Sequence, residues 1–270
     1  MNVHFACLFG VDYELDLLPF WGPYYQSMGF DTMKVFLNRE KGPIGDNIKD
    51  EFKQYGFSVE VADGCQANGI LRKLVIGYHA STLPPNDFLV TADADEFQSM
   101  PDSIFGPSRP VPVPYRELLE CFDVLTGYMR DRYTDRLEEC FDNPFVQFPQ
   151  QEPFTRDVLK NFTPPFLQKT GWPYTRRTKI LATKAGYPVA YEGSHCFREI
   201  PSNAVFGEDY QVIHFAWRES AKRKAAVKSY FTADNLNEIF GGKAPDEYVR
   251  KLKVLSPGEL IPNFEFKKYG

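Results

Sequence analysis

DFLVTADADEFQ, residues 87–98, joins a short apolar run, Phe88-Leu89-Val90, to three carboxylates, Asp93, Asp95 and Glu96. In an α/β protein such a run reads as a buried parallel strand, and open sheets hold their ligands at the carboxyl ends of these strands. Alternation along an extended backbone sends Asp93 and Asp95 to the same side, where both face one point. Two carboxylates on one point repel unless a cation lies between them. A hard divalent ion, Mg²⁺ or Mn²⁺, shared with the oxygens of a diphosphate meets that need. A bare D-x-D is more often a solvated acidic turn, so the strand before it decides the reading.

Working outward, the chain before residue 87 alternates strand and helix. Val3–Phe9 reads as a first strand. Asp12–Gly29 has helical spacing at Leu17, Leu18, Trp21, Tyr24, Tyr25 and Met28, with an interruption expected at Gly22-Pro23. Met33–Leu37 is a second strand. A helix from Asp46 then buries Ile48, Phe52 and Tyr55 and stops at Gly56. Phe57–Val61 is the third strand, and a helix over 66–81 presents Ile70, Leu71, Leu74, Val75 and Tyr78 on one face. The alternation predicts a mainly parallel sheet with right-handed crossovers. No G-x-G-x-x-G follows the first strand, where Gly10-Val11-Asp12-Tyr13 stands, so the usual dinucleotide fold is not indicated.

After Met100 the character changes. Residues 101–114 hold five prolines and read as a loop over the strand ends. Val124–Arg130 is a strand with Asp131-Arg132 at its end, and 142–173 is aromatic, proline-rich and aperiodic. Thr178–Thr183 and Tyr210–Phe215 are late strands, the second carrying His214. A basic amphipathic helix with Arg218, Lys222 and Lys228 follows. Neither a repeat nor a linker divides the 270 residues, which suffice for one domain.

Composition narrows the classes. A hydrophobic content of 43% with 24 Phe and 15 Tyr describes a folded globular chain, and a formal charge of −5 argues against general nucleic-acid binding. Asp12, Glu14 and Asp16 interrupt the first apolar run before it reaches secretory or spanning length, so a soluble cytoplasmic protein is expected. Five cysteines without C-x-x-C spacing suggest neither a disulfide framework nor a zinc site.

The ordered set DYELDLLPFW (12–21), VTADADEF (90–97), GYMRDRY with QFP (127–149), TKILATKAG with GSHCF (178–197) and HFAWRESAKRKAAVKSYF (214–231) resembles the GT-A glycosyltransferases. The closer resemblance is to their family 2-like, DUF23-like branch, and the size and Phe/Tyr richness are similar to glycosyltransferases of large algal viruses. It implies an α/β GT-A domain, a Rossmann-like mixed sheet flanked by helices. Residues 1–98 would form the nucleotide-binding half and 99–270 the acceptor-binding half. It also implies sugar transfer from a nucleotide-diphosphate sugar, UDP favoured, to a glycan or other hydroxyl acceptor, with Mn²⁺ or Mg²⁺ and inversion of configuration. Asp95 would hold the metal directly, Asp93 through water or by touching the donor ribose, and His214 would be a third ligand. A core histidine with one hydrogen bond is the bland alternative for His214. Gly10, Val11, Asp12, Tyr13, Asn38, Asp63 and Arg72 would meet the nucleoside, and Lys222 the diphosphate. Asp131 would be the base, with Glu192 and Asp209 as competitors. A nucleotidyltransferase and a non-catalytic sugar-nucleotide-binding module are the competing classes; the acidic GVDYELD replaces the basic Gly-rich loop that the former normally carries.

Overall fold

The computed structural model describes residues 1–39, 42–62, 70–100, 110–133, 150–151, 178–187, 189–190, 196–197 and 203–215. The first strand, β1 (Val3–Gly10), is buried along its whole length. Val3, Phe5, Cys7 and Phe9 enter one apolar cluster, and Ala6 and Leu8 enter another. Period-2 alternation thus supplies two layers, which is why the strand reads as a continuous apolar run.

One helical turn, α1 (Val11–Glu14), leads through a 3₁₀ turn (Leu15–Leu17) into α2 (Leu18–Gln26). The break in this region falls at the 3₁₀ turn and not at Gly22-Pro23, because Pro23 sits inside α2. An interior proline costs about 3 kcal/mol. Trp21 and Tyr25, both 0% exposed, flank it and pack on Phe5. Burying two such aromatics, roughly 150–250 Å² each at about 25 cal/mol per Å², outweighs that cost.

The strand β2 (Thr32–Asn38), α3 (Asp46–Lys53), β3 (Ser58–Val61), α4 (Ile70–Thr82) and β4 (Phe88–Thr91) complete the alternating half. Gly56 ends the α3 region with φ +84°, a left-handed conformation that glycine adopts freely. The expected inner face of α4 is corrected. Leu74 and Tyr78 are 61% and 72% exposed, whereas Leu71, Arg72, Ile76 and Ala80 are buried. Leu71 is buried and Val75 packs on the second cluster as expected, so the inner face is shifted from the expected one and not opposite to it, with Arg72 paired inward to Asp93.

Next come β5 (Glu96–Ser99), α5 (Tyr115–Leu119), β6 (Val124–Tyr133), β7 (Gln150–Gln151), β8 (Thr178–Lys184), β9 (Val189–Ala190), β10 (Cys196–Phe197) and β11 (Phe206–His214). The main sheet runs β3-β2-β1-β4-β8-β6-β11-β5, with β7 paired to β6, while β9 and β10 pair separately. The first four strands are parallel, β8 opposes both β4 and β6, β11 is parallel to β6, and β5 opposes β11. This is a mixed, mainly parallel α/β sheet flanked by helices in one domain, Rossmann-like in the GT-A manner. Among the described residues no helix is long and apolar enough to cross a membrane.

Candidate functional site

The carboxyl end of β4 runs directly into a turn. The Glu96 amide donates to the Asp93 carbonyl at 3.1 Å, and the Asp93 amide donates to Glu96 Oε2 at 3.1 Å. Residues 93–96 therefore close on themselves, and the period-2 rule that put Asp93 and Asp95 on one point does not apply to them. Asp93 and Glu96 point to one side and Asp95 to another.

Asp93 and Glu96 share a cation that belongs to the protein. Lys179 Nζ lies 2.5 Å from Asp93 Oδ2 and 2.5 Å from Glu96 Oε1, and Arg72 Nε lies 2.9 Å from Asp93 Oδ1. Three of the four side chains are deeply set, Glu96 at 1% exposed, Lys179 at 5% and Arg72 at 8%, while Asp93 is half-buried at 27%. Burial opposes ionisation of Asp93, but the charges of Lys179 and Arg72 overcome it and hold its carboxyl well below the usual range. Burial pushes the Glu96 carboxyl up, against the pull of Lys179. Burial likewise disfavours the Lys179 ammonium, and the two carboxylates more than restore it. Desolvating each ion costs several kcal/mol, so such a set persists only when every charge faces an opposite one.

Asp95 takes the other direction. His214, the last residue of β11, brings Nε2 to 3.5 Å from Asp95 Oδ2, and the Phe215 amide donates to the Asp95 carbonyl at 2.9 Å. In the sheet register His214 stands opposite Glu96 on one side and Asp131 on the other. Asp131 thus reaches this row of the sheet by its backbone position at the end of β6.

A polar frame below the turn fixes its strand. Gln98, 1% exposed, donates from Nε2 to the Thr91 carbonyl at 2.6 Å and accepts from the Tyr115 hydroxyl. Tyr24 and Tyr25 of α2 donate to the carbonyls of Gln98 and Glu96 at 2.6 and 3.1 Å. Aromatic residues of the core layer therefore hold the backbone on which the carboxylates sit.

Of the residues expected to meet a nucleoside, Gly10 and Asn38 end β1 and β2 in mutual register, at the same end of the sheet as the turn. Asn38 is 2% exposed and donates to the Ala62 carbonyl at 2.7 Å, bridging the ends of β2 and β3. Asp12 pairs with Arg39 at 3.2 Å with about a third of its side chain exposed. Val11 and Tyr13 are core residues, 3% and 7% exposed, and Arg72 is committed to Asp93. Asp63, Glu192, Arg218, Lys222 and Lys228 lie outside the described residues; Asp209 is described only as backbone of β11.

Two residues of this region are not among the expected site residues. Lys179 is the second residue of a central strand, TKILATK, and a buried lysine in such a run requires a carboxylate partner, which is a readable signal. Glu14, fully buried at the end of α1, lies close enough to influence Cys7 together with Asp93, Arg72 and Glu96. Nothing in VDYELD distinguishes it from a solvated acid.

Among the described residues no three His, Cys, Asp or Glu side chains are arranged to hold a metal ion. Asp93 Oδ2 and Glu96 Oε2 accept hydrogen bonds, from Lys179 and the Asp93 amide, while Asp93 Oδ1 and Glu96 Oε1 are held by ion-pair contact alone, with Arg72 and Lys179. Asp95 and His214, one carboxylate and one imidazole, are of the types that could hold a divalent ion together with further oxygen ligands.

No family model matches the chain, and no curated protein matches it by sequence. Solved structures are similar at a distance. The crystal structure of S. aureus TarS aligns with 94% of this chain and 42% of its own, at 10% identity and TM-score 0.39. TarS 1–349 in complex with UDP aligns with 93% and 69%, at 9% identity and TM-score 0.36. A 4-diphosphocytidyl-2C-methyl-D-erythritol synthase aligns with 69% and 77%, at 12% identity and TM-score 0.31. The chain thus spans less than half of the first of these proteins. Likenesses this distant identify neither substrate nor mechanism, which rest on the residues above.

Proposed function

We propose that the chain is a glycosyltransferase of the family 2-like, DUF23-like branch of the GT-A fold. It moves a sugar from a nucleotide diphosphate, UDP by preference, to a hydroxyl of a glycan or other acceptor. The observation that carries this reading is the Asp95–His214 pair, 3.5 Å apart at the end of the central strands. A carboxylate and an imidazole suit Mn²⁺, and a carboxylate with substrate phosphates suits Mg²⁺. When bound, the ion supplies charge stabilisation to the departing diphosphate.

The chain's own residues have separate tasks in this reading. Asp95 and His214 orient the diphosphate. Gly10, Asp12 and Asn38 border the nucleoside, with Asp63 and Lys222 as further contacts to nucleoside and diphosphate. Arg72, Lys179 and Asp93 keep the turn in shape. Asp131 takes the proton of the acceptor hydroxyl as its oxygen bonds to the anomeric carbon. The bond from that carbon to the diphosphate breaks with its electron pair on the leaving oxygen, and configuration inverts.

A thermal-shift panel of nucleotide sugars with and without Mn²⁺ tests the reading. One UDP-sugar series stabilises the protein only when Mn²⁺ is present, and Asp95→Ala removes the effect. At a ligand concentration about 100 times Kd the gain is about 2.7 kcal/mol, a rise of roughly 5–10 °C for a chain of this size. Stabilisation by ATP or CTP alone would replace this reading with a nucleotidyltransferase.

A further inference from the structure

We infer that Lys179 is the resident cation of the acidic turn: its ammonium occupies the position between Asp93 and Glu96 that a divalent ion takes between paired carboxylates. The D-x-D-E sequence then commits Asp93 and Glu96 to Lys179 and pairs Asp95 with His214. The inference deepens the proposed function, on which it rests for the role of the Asp95–His214 pair toward a ligand.

The geometry argues it from three directions. Nζ lies 2.5 Å from one oxygen of each carboxylate, so the ammonium bridges them as a metal would. The remaining oxygens are engaged too, Asp93 Oδ1 by Arg72 at 2.9 Å and Glu96 Oε2 by the Asp93 amide at 3.1 Å. Lys179 also arrives from β8, paired antiparallel to β4, the strand that leads into the turn. That pairing ends at Val90–Ala182, three residues short of both Asp93 and Lys179, and Glu96 reaches the ammonium as the first residue of β5. A lysine held this way is present at every stage of a binding cycle, whereas a metal ion at the same point would come and go with its own concentration. Lys179 is therefore a positioning residue: it keeps the 93–96 turn closed and Asp95 directed to His214 whether or not a ligand is bound.

The consequence is a gain of metal binding when the lysine is removed. In an Asp95→Ala background, which removes the Asp95–His214 pair, Mn²⁺ binding without nucleotide is followed by electron paramagnetic resonance and by thermal shift. The Asp95→Ala protein shows no site. Adding Lys179→Met creates one, tighter by about tenfold or more than the detection limit set with Asp95→Ala, because two carboxylates now face a vacated cation position. Mn²⁺ also raises the melting temperature of that variant by mass action. Further adding Asp93→Asn abolishes the gain, and Lys179→Arg in place of Lys179→Met never produces it.

Should the Lys179→Met variant be unfolded in chelator, the inference requires millimolar Mn²⁺ to restore its fold. It is overturned if that variant neither gains Mn²⁺ binding nor is rescued by it, or if Asp95→Ala alone already binds Mn²⁺ through Asp93. No nucleotide enters these measurements, so their failure leaves the nucleotide-sugar reading standing, and failure of that reading leaves them unaffected.

Discussion

Asp87 holds the chain start against the sheet from the pole opposite the acidic turn. Its Oδ1 accepts from the Asn2 amide at 2.8 Å, its Oδ2 from Asn2 Nδ2 at 3.0 Å, and His4 Nε2 stands 3.3 Å away. Those hydrogen bonds, the Asn2 amide first, lower its carboxyl to about 2. A carboxyl depressed on folding contributes stability above its unfolded pKa near 4 and loses it as pH falls toward 2. Asp87→Asn therefore flattens the stability curve between about pH 4 and pH 2, measured by urea unfolding at stepped pH, and an unchanged slope would contradict this role. The polar pairings at both poles were poorly legible in the sequence. Asp93, Asp95 and Glu96 announced a charged site, but their division between Lys179, which pairs with Asp93 and Glu96, and His214, which pairs with Asp95, depends on the 93–96 turn, which alternation along a strand does not describe.

Element by element, β1 and β4 were readable because strands covered on both faces leave unbroken apolar runs, β2 because its second half is such a run, and the exposed edge strand β3 only by its β-branched residues and the Gly56 stop before it. β5 was not, since EFQS holds one apolar residue and is kept in place by Tyr24, Tyr25 and Tyr115 from distant elements. Pattern also misjudged α2. Gly22 permits close approach of Tyr55: a Cβ there would stand 2.4 Å from Tyr55 Cδ2 and 2.8 Å from Cγ. Helix propensity alone favours alanine by about 1 kcal/mol, whereas overpacking against the body of a ring costs about 1–3 kcal/mol. Gly22→Ala is accordingly destabilising, by roughly 1 kcal/mol net, as read by chemical denaturation. A more stable Gly22→Ala protein would contradict the contact.

Across the whole molecule, one sheet carries both the alternating first half and the late strands, and this crossing makes the site. Asp95 leaves β4 near its centre, while His214 arrives on β11, separated from β4 in the sheet by β8 and β6. Sequence order supplied the two residues; the antiparallel pairing of β5 with β11 brings their ends together, and that pairing had no local signal. In the proposed function this pair and a divalent ion together grip a nucleotide diphosphate. Calorimetric titration of UDP into the protein, with and without Mn²⁺, tests it most directly. Mn²⁺ tightens UDP binding about tenfold or more, and Asp95→Ala and His214→Ala each erase the difference. Equal UDP affinity in Mn²⁺ and in chelator, or Mn²⁺ dependence that survives Asp95→Ala, would contradict it.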